Sequence, residues 1–243
     1  GALIFPSSFT RTSTMVGAAV KDGYIKSLQD KVTDYIPEMK GSAYDDVTIE
    51  QLLTMTSGIK WNEDYEDKKS DVALFATHKP EPGIDVTVSY MRKLPREAPA
   101  GTKWVYKTGE TNLIGVLVSK ATKKQLSAYL SEKVWAPFGM EQDASWLLGS
   151  TGHEISGCCI QASTRDFARF GLFMLGGAKV GGQAILPDDW IANATTKPMA
   201  PTASTCLRRR LAVLGTSSNR RKSRWPRRRF MADSGPSTSN VSP

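Results

Sequence analysis

Histidine is nearly absent from this chain: His78 and His153 are the only two among 243 residues. A histidine-based catalytic triad or a zinc cluster has little to draw on, and His153-Glu154 lacks the second histidine that a zinc-protease helix places four residues on. Cysteine is scarce too. Two of the three, Cys158 and Cys159, are neighbours, which gives neither a disulfide framework nor metal-ligand spacing. Metal chemistry is therefore not expected. No apolar run approaches the ~18 residues that a membrane-spanning helix needs, and residues 1–9 have no charged leader segment, so the chain reads as soluble and cytoplasmic. There is no internal repeat. Gly171 to Gly182 lie at a helix end and a turn without the Lys-Ser/Thr that completes a phosphate cradle.

Charge is unevenly spread. Residues 201–243 hold ten basic side chains against a single acidic one, Asp233, whereas residues 1–200 hold 22 basic and 23 acidic residues and are close to neutral. The net charge of +8 thus belongs to the tail. There, Arg208-Arg209-Arg210, Arg220-Arg221-Lys222 and Arg227-Arg228-Arg229 interrupt Ser, Thr and Pro with no period that would bury a face. Such a segment reads as a basic, disordered arm or as codons translated out of frame. Phosphate contacts without a base-reading element would be non-specific, so no specific nucleic-acid partner is expected. Residues 1–200 are read as one domain and 201–243 as the tail.

The body is orderly and rich in helix signals. Ser13 to Val20 is a run of small and apolar residues ended by Lys21-Asp22-Gly23. A short helical segment follows Leu28-Gln29-Asp30-Lys31 and closes at Ile36-Pro37. Thr48 and Gln51 have capping-box spacing ahead of Ile49, Leu52 and Leu53, with Gly58 suited to a left-handed stop. Trp61 to Glu81 is acidic, aromatic and irregular, as expected of a loop bordering a cleft or of plain solvated surface. Leu126, Tyr129, Leu130 and Val134 mark another amphipathic helix, stopped near Pro137-Phe138-Gly139. Ser163 and Asp166 repeat the capping spacing before Phe167, Phe170 and Met174, and Pro187-Asp188-Asp189-Trp190 opens a last helix. Few strands are evident, so this helix-rich lobe is expected to pack on a sheet.

The most informative stretch is Trp104-Val105-Tyr106-Lys107-Thr108-Gly109-Glu110-Thr111-Asn112. It places a tyrosine on a short polar turn ahead of a helix whose Leu113, Val116, Leu117 and Ala121 form one apolar stripe. A phenol titrates near pH ~10 in water and serves as a base near neutrality only when cations favour the phenolate. Read alone, Tyr106 is a general base or a half-buried residue at a helix start.

Taken together, Thr48 to Gly58, Tyr106-Lys107-Thr108, Pro137-Phe138-Gly139-Met140 and Ser163-Thr164-Arg165-Asp166-Phe167-Ala168-Arg169 resemble the serine hydrolases related to class C β-lactamases and DD-peptidases. Through Trp61-Asn62-Glu63-Asp64-Tyr65 the chain is most similar to 6-aminohexanoate-dimer hydrolases, over about residues 12–199. The resemblance implies a β-lactamase/transpeptidase-like α/β (α+β) fold, a helical lobe packed on an antiparallel sheet, incomplete in this chain. It also implies a serine in Ser-x-x-Lys at the start of a buried helix, attacking a small-molecule amide or ester to form an acyl-enzyme, with no cofactor. Tyr106 is the implied proton-transfer group and Thr108 either a substrate contact or a helix N-cap. A homodimer is compatible with the same likeness. No lysine occurs from Gly1 to Val20; the nearest spacing is Ser8-Phe9-Thr10-Arg11, with a guanidinium in place of the amine. Ser8 is the candidate nucleophile, and arginine stays protonated, so it cannot exchange a proton with it. A linear amidase, a β-lactamase, DD-peptidase or carboxylesterase, and a catalytically silent binding relative all fit these residues.

Overall fold

The computed structural model describes residues 8–195 and 238–242. The expectations for the remainder, including most of the basic tail, lie outside the described residues.

Two helices make the centre. α1 (Ser8–Lys21) packs along α6 (Thr108–Thr122), and α2 (Val32–Tyr35), α3 (Ile49–Leu53), α4 (Asp71–Ala76), α5 (Val86–Met91) and α7 (Leu126–Leu130) lie against α6 from other sides. Leu113, Val116 and Leu117 of α6 are buried as the apolar spacing predicts, but the one-sided stripe is not what forms. Glu110, Thr111, Asn112 and Ser119 are buried as well, while Ala121 is only half-buried. A helix ringed by five or more neighbours has no solvent face, so its polar residues are carried into the core with it.

Local signals account for most helix limits. Both arms of the Thr48/Gln51 capping box are present, at 3.2 Å and 3.0 Å. Ser163 accepts from the Asp166 N–H at 3.1 Å, but the Asp166 carboxylate turns to the Ser163 hydroxyl and the Glu141 N–H instead of closing the box. α8 (Thr164–Leu175) then buries Phe170 and Phe173 and stops at Gly176, and α9 (Trp190–Thr195) follows Pro187 as expected. α7 runs on into a π-helical turn, Ser131–Trp135.

Three expectations are corrected. The irregular stretch from Trp61 to Glu81 contains α4, started by Ser70, whose hydroxyl accepts from the Ala73 N–H. Gly58 does not end α3: that helix stops at Leu53, and the left-handed residue after it is Met55 (φ +56°). Gly58 (φ +74°) instead lets residues 96–98 cross the chain, its carbonyl accepting from the Glu97 and Ala98 N–H groups at 2.8 and 3.0 Å. Finally, Cys158 and Cys159, read from spacing as outside any disulfide framework, are bonded to each other.

The sheet is small and antiparallel, in the order β2-β1-β5, with β1 (Ala144–Leu147) central. β2 (Ile160–Gln161) pairs Ile160 with Trp146, and β5 (Thr238–Val241) pairs Val241 with Ala144 through to Thr238 with Leu147. The four β5 residues were expected within the disordered tail. They are an ordered strand because alternate residues, Ser239 and Val241, are buried against β1 and α7. β3 (Lys179–Val180) and β4 (Gln183–Ala184) form a separate hairpin. Among the described residues no helix is long and apolar enough to cross a membrane.

The two turn glycines give a direct test of this reading. A Cβ at Gly58 would collide with the Ala98 carbonyl, whereas one at Gly23 (φ +79°) would meet nothing within 4 Å. Gly23→Ala is expected to cost about 1 kcal/mol, the conformational penalty alone. Gly58→Ala should cost several-fold more, measured as the urea unfolding free energy of each variant.

Candidate active site

Tyr106 lies where an extended segment enters α6. That segment is laid along the turn after α3, with Gly101 N–H donating to the Thr56 carbonyl at 2.7 Å and Val105 N–H to the Met55 carbonyl at 3.0 Å. Tyr106 is half-buried, and Lys107 behind it is fully buried and extended (φ −139°, ψ 109°). Successive side chains of an extended chain point to opposite faces, so Lys107 enters the core on the side away from the phenol.

Thr108 is not the N-cap. That position is held by Lys107, which makes no side-chain capping bond, and Thr108 is the first residue inside the helix. The capping acceptor comes from elsewhere in the chain. One Glu63 oxygen accepts from the Thr108 N–H at 3.0 Å and from Trp61 Nε1, and the other accepts from the Thr108 hydroxyl and, at 2.7 Å, the Tyr65 hydroxyl. A carboxylate at this place meets both the orphan N–H groups and the positive end of the helix dipole, typically worth 0.3–1 kcal/mol for the dipole component. Thr108 Oγ1 gives its proton to Glu63 and is left to accept.

The same contacts decide what the acid-rich loop does. Asp64 accepts from the Glu66 N–H, Asp67 from the Lys69 N–H, and Asp71 from the Asn62 N–H and the Tyr90 hydroxyl. These carboxylates fold their own segment. Trp61, Phe75 and Tyr90 pack edge-to-face beneath it, with ring centroids 5.5–6.3 Å apart. Tyr65 is the aromatic left at the rim, 73% exposed, its hydroxyl 3.2 Å from Thr108 Oγ1. Burial, then the bond to Glu63, pushes its phenol pKa up, and the nearby Tyr106 adds to the rise.

α1 reaches the same end of α6. Thr12 donates to the Ser156 carbonyl at 3.1 Å, Ser156 in turn donates to the Thr111 and Asn112 carbonyls, and Gly157 N–H donates to Asn112 Oδ1 at 3.1 Å. A Cβ at Gly157 would press on Thr108 and Asn112, so the loop bearing Cys158 and Cys159 lies directly against the helix start. Ser8 opens α1 one turn ahead of Thr12; its side chain lies outside the described residues. Arg11, the guanidinium in the lysine-like position, goes the other way. It is buried with its Cζ 4.3 Å from the Phe167 ring centre and 5.1 Å from that of Phe170. Desolvation lowers its pKa to about 10, which leaves it a cation at neutral pH committed to α8.

Neither histidine joins this arrangement: His78 bonds Ser89 at 2.8 Å and His153 bonds Asp85 at 2.9 Å. No group of three or more His, Cys, Asp or Glu side chains among the described residues is placed to hold a metal ion. An open groove of about 420 Å³ beside Tyr24, Tyr35, Glu38 and Lys120 lies at the far end of α6 and takes no part.

The beta-lactamase family model matches residues 10–219. The chain belongs to the beta-lactamase family. Members of this family are serine hydrolases that act on amide bonds. The 6-aminohexanoate-dimer hydrolase of Paenarthrobacter ureafaciens is 29% identical over 195 residues, 78% of this chain and 49% of that protein. In solved structures the fold is matched by a Bacillus anthracis protein provisionally assigned as a 6-aminohexanoate-dimer hydrolase, with a TM-score of 0.70, 21% identity, and coverage of 82% of this chain and 55% of the other. A penicillin-binding protein homologue from Caulobacter crescentus matches with a TM-score of 0.61, 17% identity, and coverage of 81% and 61%. The chain spans about half the length of these relatives. The β-lactamase-like α/β fold, in part, is thus the fold of this chain.

Sequence reasoning did not find Glu63 as the cap of α6, because the acceptor and the helix are 45 residues apart. Its removal is expected to free the start of that helix. Glu63→Gln keeps the size but loses acceptor capacity, and should lower the unfolding free energy by about 1–2 kcal/mol in guanidinium titrations. Glu66→Gln, outside these contacts, serves as the near-neutral comparison.

Proposed function

We propose that this protein is a serine hydrolase cleaving a linear amide of the 6-aminohexanoate-dimer type through an acyl-enzyme, with Tyr106 as the proton-transfer group. The supporting observation is positional: Tyr106 stands at the N-terminal end of α6, and the Thr12–Ser156–Thr111 contacts draw the first turns of α1 to that same end. A serine hydroxyl at the start of α1, at Ser8 in this chain, is there the nucleophile.

In this reading Tyr106 begins as the phenolate, and the serine oxygen attacks the amide carbonyl as the Tyr106 oxygen takes its proton. Tyr106 then gives that proton to the departing amine nitrogen as the C–N bond breaks. Water attacks the resulting ester, its proton passing to Tyr106 and on to the serine oxygen as the acid leaves. Backbone N–H groups carry the charge on the oxyanion, each donor typically worth ~3 kcal/mol. Thr108 Oγ1, left to accept, suits a donor such as a substrate amide N–H. No lysine occupies the Ser-x-x-Lys position in α1, and Arg11 packs against Phe167 and Phe170, so α1 does not supply the amine that the resemblance implies.

The assay measures 6-aminohexanoate released from its linear dimer, p-nitrophenol released from a short-chain ester, and covalent labelling by a fluorescent penicillin. Turnover of the dimer is expected, with a loss of ~100-fold or more in Tyr106→Phe. Penicillin labelling without dimer turnover would move the assignment to a β-lactamase or DD-peptidase. Ester release alone would make it a carboxylesterase, and silence in all three would make it a binding relative.

A further inference from the structure

The extended segment bearing Tyr106 is held from behind by a charged pair that the proposed chemistry does not use. Lys107 and Glu110 are both completely buried, with Nζ 3.6 Å from Glu110 Oε2. The other Glu110 oxygen takes the Ser57 hydroxyl and, at 3.2 Å, the Tyr44 hydroxyl, while Lys107 donates to the Val105 carbonyl at 3.2 Å. Glu110 Oε2 has no hydrogen-bond partner. Desolvation pushes each member of the pair toward its neutral form, and the mutual attraction only partly offsets this. Apolar residues of the same size often replace a buried ion pair without loss of stability, so stability alone is a weak reason for this pair.

Its placement supplies another. Every anchor falls next to Tyr106: Val105 through both its N–H and its carbonyl, Lys107 through its side chain, and Glu110 one turn further on. Two of them reach the Met55–Ser57 turn, Val105 through its N–H to the Met55 carbonyl and Glu110 through the Ser57 hydroxyl, while Lys107 links the pair back to Val105 and Glu110 also holds Tyr44. We propose that the Lys107–Glu110 pair is a positioning device that fixes the direction of the Tyr106 phenol by tying residues 105–110 to that turn. This rests on the reading of Tyr106 as the proton-transfer group, since only then does its direction matter. Lys107 and Glu110 act through the tyrosine and do not meet substrate.

The test uses full-length protein carrying ¹³C at the tyrosine ring Cζ, with the Tyr106 resonance assigned by its loss in Tyr106→Phe. Glu110→Gln keeps the shape and removes the charge. It is expected to displace the Tyr106 and Tyr44 resonances, leave that of Tyr24 in place, and lower kcat about 10-fold with KM little changed. Ser57→Ala removes a single donor and is expected to give a smaller displacement in the same direction; it carries the test should Glu110→Gln fail to fold. In the neutral double variant Lys107→Met/Glu110→Gln, the unfolding midpoint should recover while the Tyr106 resonance stays displaced. A Tyr106 resonance unchanged in the folded single variants, or fully restored in the double variant, overturns the proposal. The resonance is read without substrate, so a protein that turns nothing over defeats the functional reading while the resonance still decides this one.

Discussion

The rest of the structure depends on α6 having no water to turn to. A helix packed on every side depends on protein partners for its first N–H groups and for the polar side chains it carries inward, and here most of them are met. Glu63 supplies the missing acceptor at the N-terminus, Ser57 and Tyr44 supply donors to Glu110, and Ser156 and Gly157 close on Thr111 and Asn112. Four separate segments are thereby drawn to a single end of one helix. The candidate site lies there because that is where the unmet hydrogen bonds of the core are gathered.

This arrangement also explains why half of a larger fold can be recognised. The contacts that define the helical lobe run between α1, α6 and the segments around them. The chain matches the Bacillus anthracis structure over 82% of its own length and 55% of the other. Among the described residues β2, β1 and β5 form a three-stranded sheet beside the β3-β4 hairpin, and β5 joins it from beyond the undescribed segment after α9.

What could be read from the sequence was local. The Thr48/Gln51 box, the proline before α9 and the apolar spacing of α6 each depend on residues within a few positions of one another, and each left its mark on the linear pattern; the turn expected at Tyr106 is instead extended chain. Glu63 did not, because its partner is 45 residues away and one glutamate in an acidic stretch looks like the next. Lys107 and Glu110 carried a fainter sign: charges three apart in the first turn of an otherwise apolar helix, a spacing more often found on a wet surface. Only the packing around α6 shows that both ends of that pair are dry. Gly58 was read as a helix stop because left-handed glycine commonly is one. Its crossing with Ala98 is a long-range fact that spacing cannot encode.

The position of Arg11 and Thr12 carries a consequence for the whole of α1. These neighbours project about 100° apart around the helix axis, one lying over the rings of Phe167 and Phe170 and the other bonded to Ser156. A helix gripped on two faces cannot roll. The backbone from Arg11 onward therefore keeps one bearing against α8 and the Ser156 loop at once.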